Sequence, residues 1–238
     1  MLGLGVSLAH PYAGGDWTPA DLSGLVGWYR YNTDLVKAGE VSFPDDGEDV
    51  GRWLDHSGND NDASKSSNEP SYDGTLKSVF FDSTAETLDI PQLALGAFSI
   101  YVRVRFTAAS ITSADILMKD DTVSNNFWRI QSTTGIRCKI GGGGDAINYT
   151  LHSSTTLGVD TWYNMGLERD GDSDMYSYLN GGVNGASVNT DLDEYPFAVD
   201  SIHGGKDMLV SEVIITTEAL SSGERALVDT WLSSETEG

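Results

Sequence analysis

The sequence has a single cysteine, Cys138, so no internal disulfide can form. Its neighbours Ile136 and Ile140 alternate with Arg137 and Lys139, which reads as a small core residue in a strand and not as a reactive thiol. Basic residues are scarce: 14 Lys and Arg stand against 36 Asp and Glu, for a formal net charge of −22. A surface of that sign repels phosphate backbones and anionic lipid, so neither nucleic acid nor a membrane is expected as a partner. It suits a protein kept soluble among many copies of itself, or a cation-rich medium; the plainer alternative is solvated acidic loops. No apolar run approaches the ~20 residues of a membrane span. The opening MLGLGVSLA is apolar, but no basic segment precedes it and no clear cleavage site follows, so it does not read as a signal peptide. Histidine is also thin. His10, His56, His152 and His203 build no nucleophile-elbow or metalloprotease motif, and one cysteine without a His-x-x-x-His pair argues against zinc. The four glycines at 141–144 lack the strand-then-helix context of a phosphate cradle and read as a loop.

What is present is period two. Phe98, Ile100, Val102, Val104 and Phe106 alternate with Ser99, Tyr101, Arg103 and Arg105, the pattern of a half-buried strand. Shorter runs of the same kind fall at 79–81, 127–130, 136–140, 163–167, 175–179 and 209–215, separated by Gly, Asn, Asp and Ser. Asn180-Gly181 marks a hairpin turn, because both residues tolerate positive φ. Thr18-Pro19-Ala20-Asp21 reads as a short helix start, with Thr18 as cap and Pro19 in the first position. At the other end Ser221 and Glu224 form a capping box, and Leu227, Val228, Trp231 and Leu232 share one face of a helix over 221–233. The 238 residues thus read as an all-β, two-sheet antiparallel sandwich with a short N-terminal helix and a C-terminal amphipathic helix. Residues 1–17 form an apolar arm ahead of a domain spanning 18–238. In the arm Leu2, Leu4, Val6 and Leu8 alternate with small residues, a strand-like pattern that could add an edge to a neighbouring subunit's sheet or fold back on its own domain.

Several segments, in order, resemble the laminin-G-like, concanavalin A-like lectin jelly roll. Trp53-Leu54-Asp55-His56-Ser57-Gly58-Asn59-Asp60-Asn61-Asp62-Ala63 is similar to its W-x-D-x-S-G-N-x-N-D-A segment. Val79-Phe80-Phe81-Asp82 with Leu88-Asp89-Ile90, the strand from Phe98, the stretch from Trp162 to Gly181, and the stretch from Leu209 to Leu232 resemble its later motifs. The match covers roughly residues 25–232 and implies a jelly-roll fold. A second resemblance, in Met1-Leu2-Gly3-Leu4-Gly5 and the segment from Thr18 to Tyr29, is to structural proteins of tailed, especially marine, bacteriophages. It implies a virion location on the particle surface, as a capsid decoration, fibre or tail component. The partners it implies are other virion proteins, reached through the arm, and further copies of the chain, with a trimer as the guess.

Glycan hydrolysis needs two carboxylates about 5–5.5 Å or ~6.5–9.5 Å apart. The nearest spacings, Glu168-Arg169-Asp170 and Asp191-Leu192-Asp193, lack a third carboxylate in phase, so no catalytic residue is assigned and no enzyme activity is expected. No cofactor is required. Calcium is the ion to weigh, at Asp55, Asn59 and Asp62, against an Asx-turn network in which these side chains bond their own backbone. Sugar binding, implied by the lectin resemblance, needs aromatic platforms, and Trp128, Tyr176 and Tyr178 are the candidates. The expectation is a non-enzymatic virion structural protein displaying a lectin-like domain, with a carbohydrate- or host-receptor-binding module as the alternative and a glycan hydrolase as the third reading.

Overall fold

A computed structural model describes residues 17–32, 34–107, 116–121, 126–141, 147–152, 156–171, 174–188, 195–203, 205 and 207–234. The assembly arm at Leu2, Leu4, Val6 and Leu8 lies outside them. Alternating sequence becomes alternating burial, and the described strands form two antiparallel sheets. The eight-stranded sheet has the order β15 (Gly182–Val188), β14 (Asp174–Leu179), β13 (Trp162–Arg169), β8 (Phe98–Phe106), β17 (Met208–Thr216), β6 (Ser78–Phe81) and β5 (Ser71–Asp73), with β1 (Leu25–Arg30) also paired to β17. The nine-stranded sheet has the order β12 (Ile147–His152), β11 (Gly135–Ile140), β10 (Phe127–Ser132), β9 (Ile116–Lys119), β16 (Phe197–His203), β7 (Thr87–Leu95), β4 (Ala63–Ser64), β3 (Val50–Trp53) and β2 (Leu35–Lys37). The result is the expected two-sheet antiparallel jelly-roll sandwich.

The core between the sheets is built from the inward sets. Trp53, Trp128, Phe81, Phe98, Phe106 and Phe197 are all fully buried there, and Phe98 stacks on Phe197 with ring centroids 5.2 Å apart. Each such side chain contributes about 1.5–3 kcal/mol by leaving water. β17 is the spine of its sheet. One edge pairs with β8 along its length, and the other is shared by β1 and β6. All nine of its residues are buried. The Asn180-Gly181 turn between β14 and β15 has φ of 47° and 75°, the backbone the sequence implied. Cys138 is buried in the core, and burial pushes its thiol up.

The outer side of the eight-stranded sheet is closed by α1 (Ser222–Ser234). Its capping box is formed: the Ser221 amide donates to Glu224 Oε2 at 2.8 Å and the Glu224 amide to Ser221 Oγ at 3.3 Å. Val228 and Leu232 bury against Trp28, Tyr101, Tyr178 and Ile214. The short N-terminal helix is a single 3-10 turn, Pro19–Asp21, and Trp17 just before it meets Trp231 edge-on. This layer corrects one expectation. Ser99 and Tyr101, read as the solvent face of β8, are buried beneath it. The Tyr101 ring lies across Gly166, where a Cβ would stand 2.4 Å from a ring carbon, so only glycine fits.

Two buried acids tie this layer down. Glu168 Oε1 accepts from Ser99 Oγ at 3.0 Å and Tyr101 OH at 2.8 Å, and its Oε2 from Arg225 Nη1 at 3.1 Å. Burial raises the Glu168 carboxyl above its usual range, although these donors oppose the shift. Glu212 Oε1 accepts the indole N–H of Trp28 at 2.6 Å and of Trp231 at 2.7 Å. The Arg30 guanidinium lies 5.0 Å from the Trp28 ring and 5.6 Å from that of Trp231.

Candidate functional site

The nine-stranded sheet presents a different outer side, which no described helix covers. Alternation sends Trp128 and Ile130 inward and Phe127, Arg129 and Gln131 outward. On β11 it sends Arg137 and Lys139 outward beside them. Seven of the 14 Lys and Arg residues lie on this side: Lys37, Arg52, Lys65, Lys119, Arg129, Arg137 and Lys139. In a chain of net charge −22 that is a marked concentration.

The cations fall into two zones. At the β2–β3–β4–β7 end they flank a cleft of about 560 Å³ lined by Lys37, Glu40, Arg52, Ser64, Lys65 and Asp89. Each has an acidic partner. Lys65 Nζ lies 2.8 Å from Asp89 Oδ1, Lys37 Nζ lies 3.0 Å from Glu40 and 2.8 Å from Glu48, and Arg52 pairs with Asp62 at 2.5 Å. Mid-sheet, Lys119 pairs with Asp121 at 2.5 Å, and the buried His203 ring stands 3.7 Å from the same carboxylate, beyond hydrogen-bond reach. Burial holds His203 below its usual range, while His203 and Lys119 hold the Asp121 carboxyl well below the usual carboxylate range.

The β10–β11 zone is built around an aromatic ring. Arg129 and Arg137 are direct cross-strand partners, as are Phe127 and Lys139. Both guanidiniums lie over the Phe127 ring, 4.6 and 5.6 Å from its centroid. Arg129 Nη2 donates to Gln131 Oε1 at 2.9 Å. Burial and the neighbouring Arg137 charge together lower the Arg129 guanidinium below its ordinary value. A half-exposed ring flanked by planar donors can stack a pyranose face and hold its oxygens.

The expected sugar aromatics are not gathered here. Trp128 is fully buried, opposite Cys138 and Met118 in the core, and is not a platform. Tyr178 is 5% exposed under α1, with Arg225 4.9 Å from its ring, so it too is structural. Tyr176 is half-buried on the same sheet and donates to Asp174 Oδ2 at 3.0 Å. Phe127, the aromatic on the open face, was missed. The signal was present: once Trp128 and Ile130 point inward, Phe127 must share the outward side with Arg129 and Gln131.

The loop from Asp55 does bring Asp55, Asn59 and Asp62 together, but their polar groups are engaged within the protein. Asp55 Oδ1 accepts the amides of Trp28 and Ser57 at 2.9 Å each, and its Oδ2 accepts Ser57 Oγ at 2.7 Å and the Asn61 amide at 3.1 Å. Asp62 Oδ1 accepts the Asp55 amide at 2.9 Å, and Asn59 Nδ2 donates to the Leu25 carbonyl at 2.9 Å. The loop is an Asx network that clasps β1, and a cation would have to displace these donors. Among the described residues no three His, Cys, Asp or Glu side chains converge as a metal-ligand set. Of the carboxylates weighed for hydrolysis, Glu168 is buried beneath α1, and Asp191 and Asp193 lie outside the described residues.

No family model matches the sequence, and no curated protein matches it. Solved structures do. A Trypanosoma rangeli sialidase in complex with sialic acid superposes at a TM-score of 0.60 with 13% identity, over 92% of this chain and 35% of the sialidase. The binding domain of Paraclostridial Mosquitocidal Protein 1 gives 0.63 and 12%, over 91% of this chain and 54% of that one. A botulinum neurotoxin type C structure, concerned with the toxin's dependence on two ganglioside molecules, gives 0.61 and 12%, over 88% of this chain and 51% of the other. The chain thus spans about a third to a half of these neighbours' lengths, and at such identities the likeness is one of fold.

Proposed function

We propose that the protein is a non-catalytic carbohydrate-binding module whose ligand rests on the outer face of the nine-stranded sheet. The observation that carries this reading is the open β10–β11 surface, where Phe127 lies beneath Arg129 and Arg137 and beside Gln131. A flat apolar ring with hydrogen-bonding groups at its edge is the chemistry that sugars need. The fold neighbours lend support, since they include a sialidase holding sialic acid and a toxin dependent on gangliosides. The non-catalytic reading is supported by Glu168, whose carboxylate is committed to Ser99, Tyr101 and Arg225 and shut away from any groove.

The test is glycan-array screening of the full chain beside Phe127→Ala. Binding by the parent and its loss in a variant of unchanged circular dichroism support the proposal. A parent that binds no glycan, or a variant that binds as well as the parent, contradicts it. The finer expectation, display on a phage particle through residues 1–17, rests on the sequence resemblance and the apolar alternation of Leu2, Leu4, Val6 and Leu8.

A further inference from the structure

The cleft at the β2–β3–β4–β7 end of the open face has an unusual lining. Its volume of about 560 Å³ is that of a small-molecule pocket, but no aromatic or large aliphatic side chain is among the described residues that line it. The lining consists of charged groups, the hydroxyls of Ser64, Ser66 and Ser67, and the backbone at Gly39 and Gly51. Gly51 lets β2 and β3 close up beside it, since a Cβ there would stand 2.7 Å from Ala38 Cα. The charges are held from two sides. Lys65 Nζ donates to both oxygens of Asp89, at 2.8 and 2.9 Å, and Thr87 Oγ1 donates to Asp89 Oδ1 at 3.2 Å. Lys37 pairs with Glu40 and Glu48, while Ser42 Oγ donates to Glu40 at 2.8 Å and the Asp45 amide to Glu48 at 2.8 Å. Arg52 pairs with Asp62, which accepts the Asp55 amide at 2.9 Å. Isolated surface ion pairs add little to stability. A connected set around a cleft does something else: it fixes the directions of donors and acceptors before anything binds, so little ordering is left for the binding step.

We propose that this cleft is a second sugar subsite, selective for an uncharged, hydroxyl-rich ring. This rests on the carbohydrate-binding reading and adds a site and a ligand charge to it. Three cations and, with Glu48 and Asp62, four carboxylates surround the cleft. An anion would compete with those carboxylates for Lys37, Arg52 and Lys65, and a cation would meet the same three positive charges. A hydroxyl does neither. It donates to a carboxylate and accepts from an ammonium, and the edge of the Lys65–Asp89 pair offers both to two adjacent hydroxyls. With no ring to stack on, affinity comes from hydrogen bonds exchanged with water, so a single sugar ring binds at about millimolar strength.

The test is amide chemical-shift titration of the full chain with the methyl glycosides of glucose, galactose and mannose, and with the uronic acid and amino-sugar counterpart of each. At least one neutral glycoside gives saturable shifts at Lys37, Arg52, Lys65 and Asp89, and both its charged counterparts bind about three-fold or more weakly. Ser66→Trp, a change at an exposed position on the rim, fills the cleft and abolishes those shifts. Val183→Trp, at a 64% exposed position on the other sheet, leaves them intact. Asp89→Asn removes one negative charge and narrows the discrimination against the uronic acid, an effect that a purely structural role would not produce. Spectra unchanged outside the cleft show that each variant is folded. Equal or tighter binding of a charged form overturns this inference. So do shifts that survive Ser66→Trp, discrimination unaltered in Asp89→Asn, or a cleft that responds to none of the three neutral glycosides. In each of these cases array binding that depends on Phe127 leaves the carbohydrate reading standing. A silent cleft together with an empty glycan array overturns both.

Discussion

The two outer faces of the sandwich handle charge in opposite ways. On the eight-stranded sheet the acids Glu168 and Glu212 are buried at 2% and 1% exposure, take their donors from Ser, Tyr, Trp and Arg side chains, and lie under α1. On the nine-stranded sheet the cations stay at the surface, Lys37 and Lys65 beside acids at one end and Arg129 opposite Arg137 over the Phe127 ring at the far end. The first arrangement fixes an element of the fold, because a buried ion leaves water only when every partner is in place. The second keeps the charged groups on an outer side that no described helix covers. The covered acids hold an element of the fold in place, and the uncovered β10–β11 surface, with Phe127 between Arg129 and Arg137, is offered to a ligand.

The largest effect expected from breaking the covered side is at Glu168. Glu168→Ala leaves Arg225, Tyr101 and Ser99 without their buried acceptor and lowers unfolding stability by about 3–5 kcal/mol, read from urea denaturation. An effect below about 1 kcal/mol, the scale of an exposed ion pair, means that the layer under α1 is not held by this network. Next comes Gly166→Ala, which drives a methyl group into the Tyr101 ring. Overpacking of this kind costs about 1–3 kcal/mol and is relieved in the double variant with Tyr101→Leu. Additive losses would place the clash elsewhere.

The pH response sharpens the contrast, because the two faces have opposite signs. Glu168 has a raised folded-state value, so its contribution is fully present below the unfolded value near 4.5 and is lost as pH rises through the folded value. His203 is lowered by burial beside Asp121, Lys119 and Lys65, so its contribution is present above about 6.5 and is lost as pH falls. Urea midpoints measured from pH 4 to 8 therefore fall less steeply towards acid in His203→Asn, and less steeply towards neutral pH in Glu168→Gln. Identical profiles in both variants contradict the assignment. The smallest effect belongs to the Asp55 loop, whose carboxylates already accept protein donors. A chelator leaves the melting temperature unchanged, and a drop of several degrees shows that a cation occupies Asp55, Asn59 and Asp62.

Much of the architecture was legible in the chain. The inward set of β8, the Asn180-Gly181 turn and the Ser221–Glu224 capping box are local signals, and the structure has all three. Tyr101 and Ser99 were misread because what covers them is a helix more than 100 residues further along, which alternation within one strand cannot reveal. Trp128 was misread for a different reason. An aromatic was taken for a platform by its type, when its phase against Arg129 and Gln131 already pointed it inward. The opposition of Arg129 and Arg137 depends on the β10–β11 register, set by the turn from Ser132 to Gly135, and register is the property that period-two patterning leaves open.

The most direct test of the central claim is amide chemical-shift mapping of the full chain during titration with its best array glycan. The account predicts that the largest shifts fall on β10 and β11, at Phe127, Arg129, Arg137 and Lys139, with α1 and β17 unmoved. Shifts centred instead on α1, or on the Asp55 loop, would contradict it.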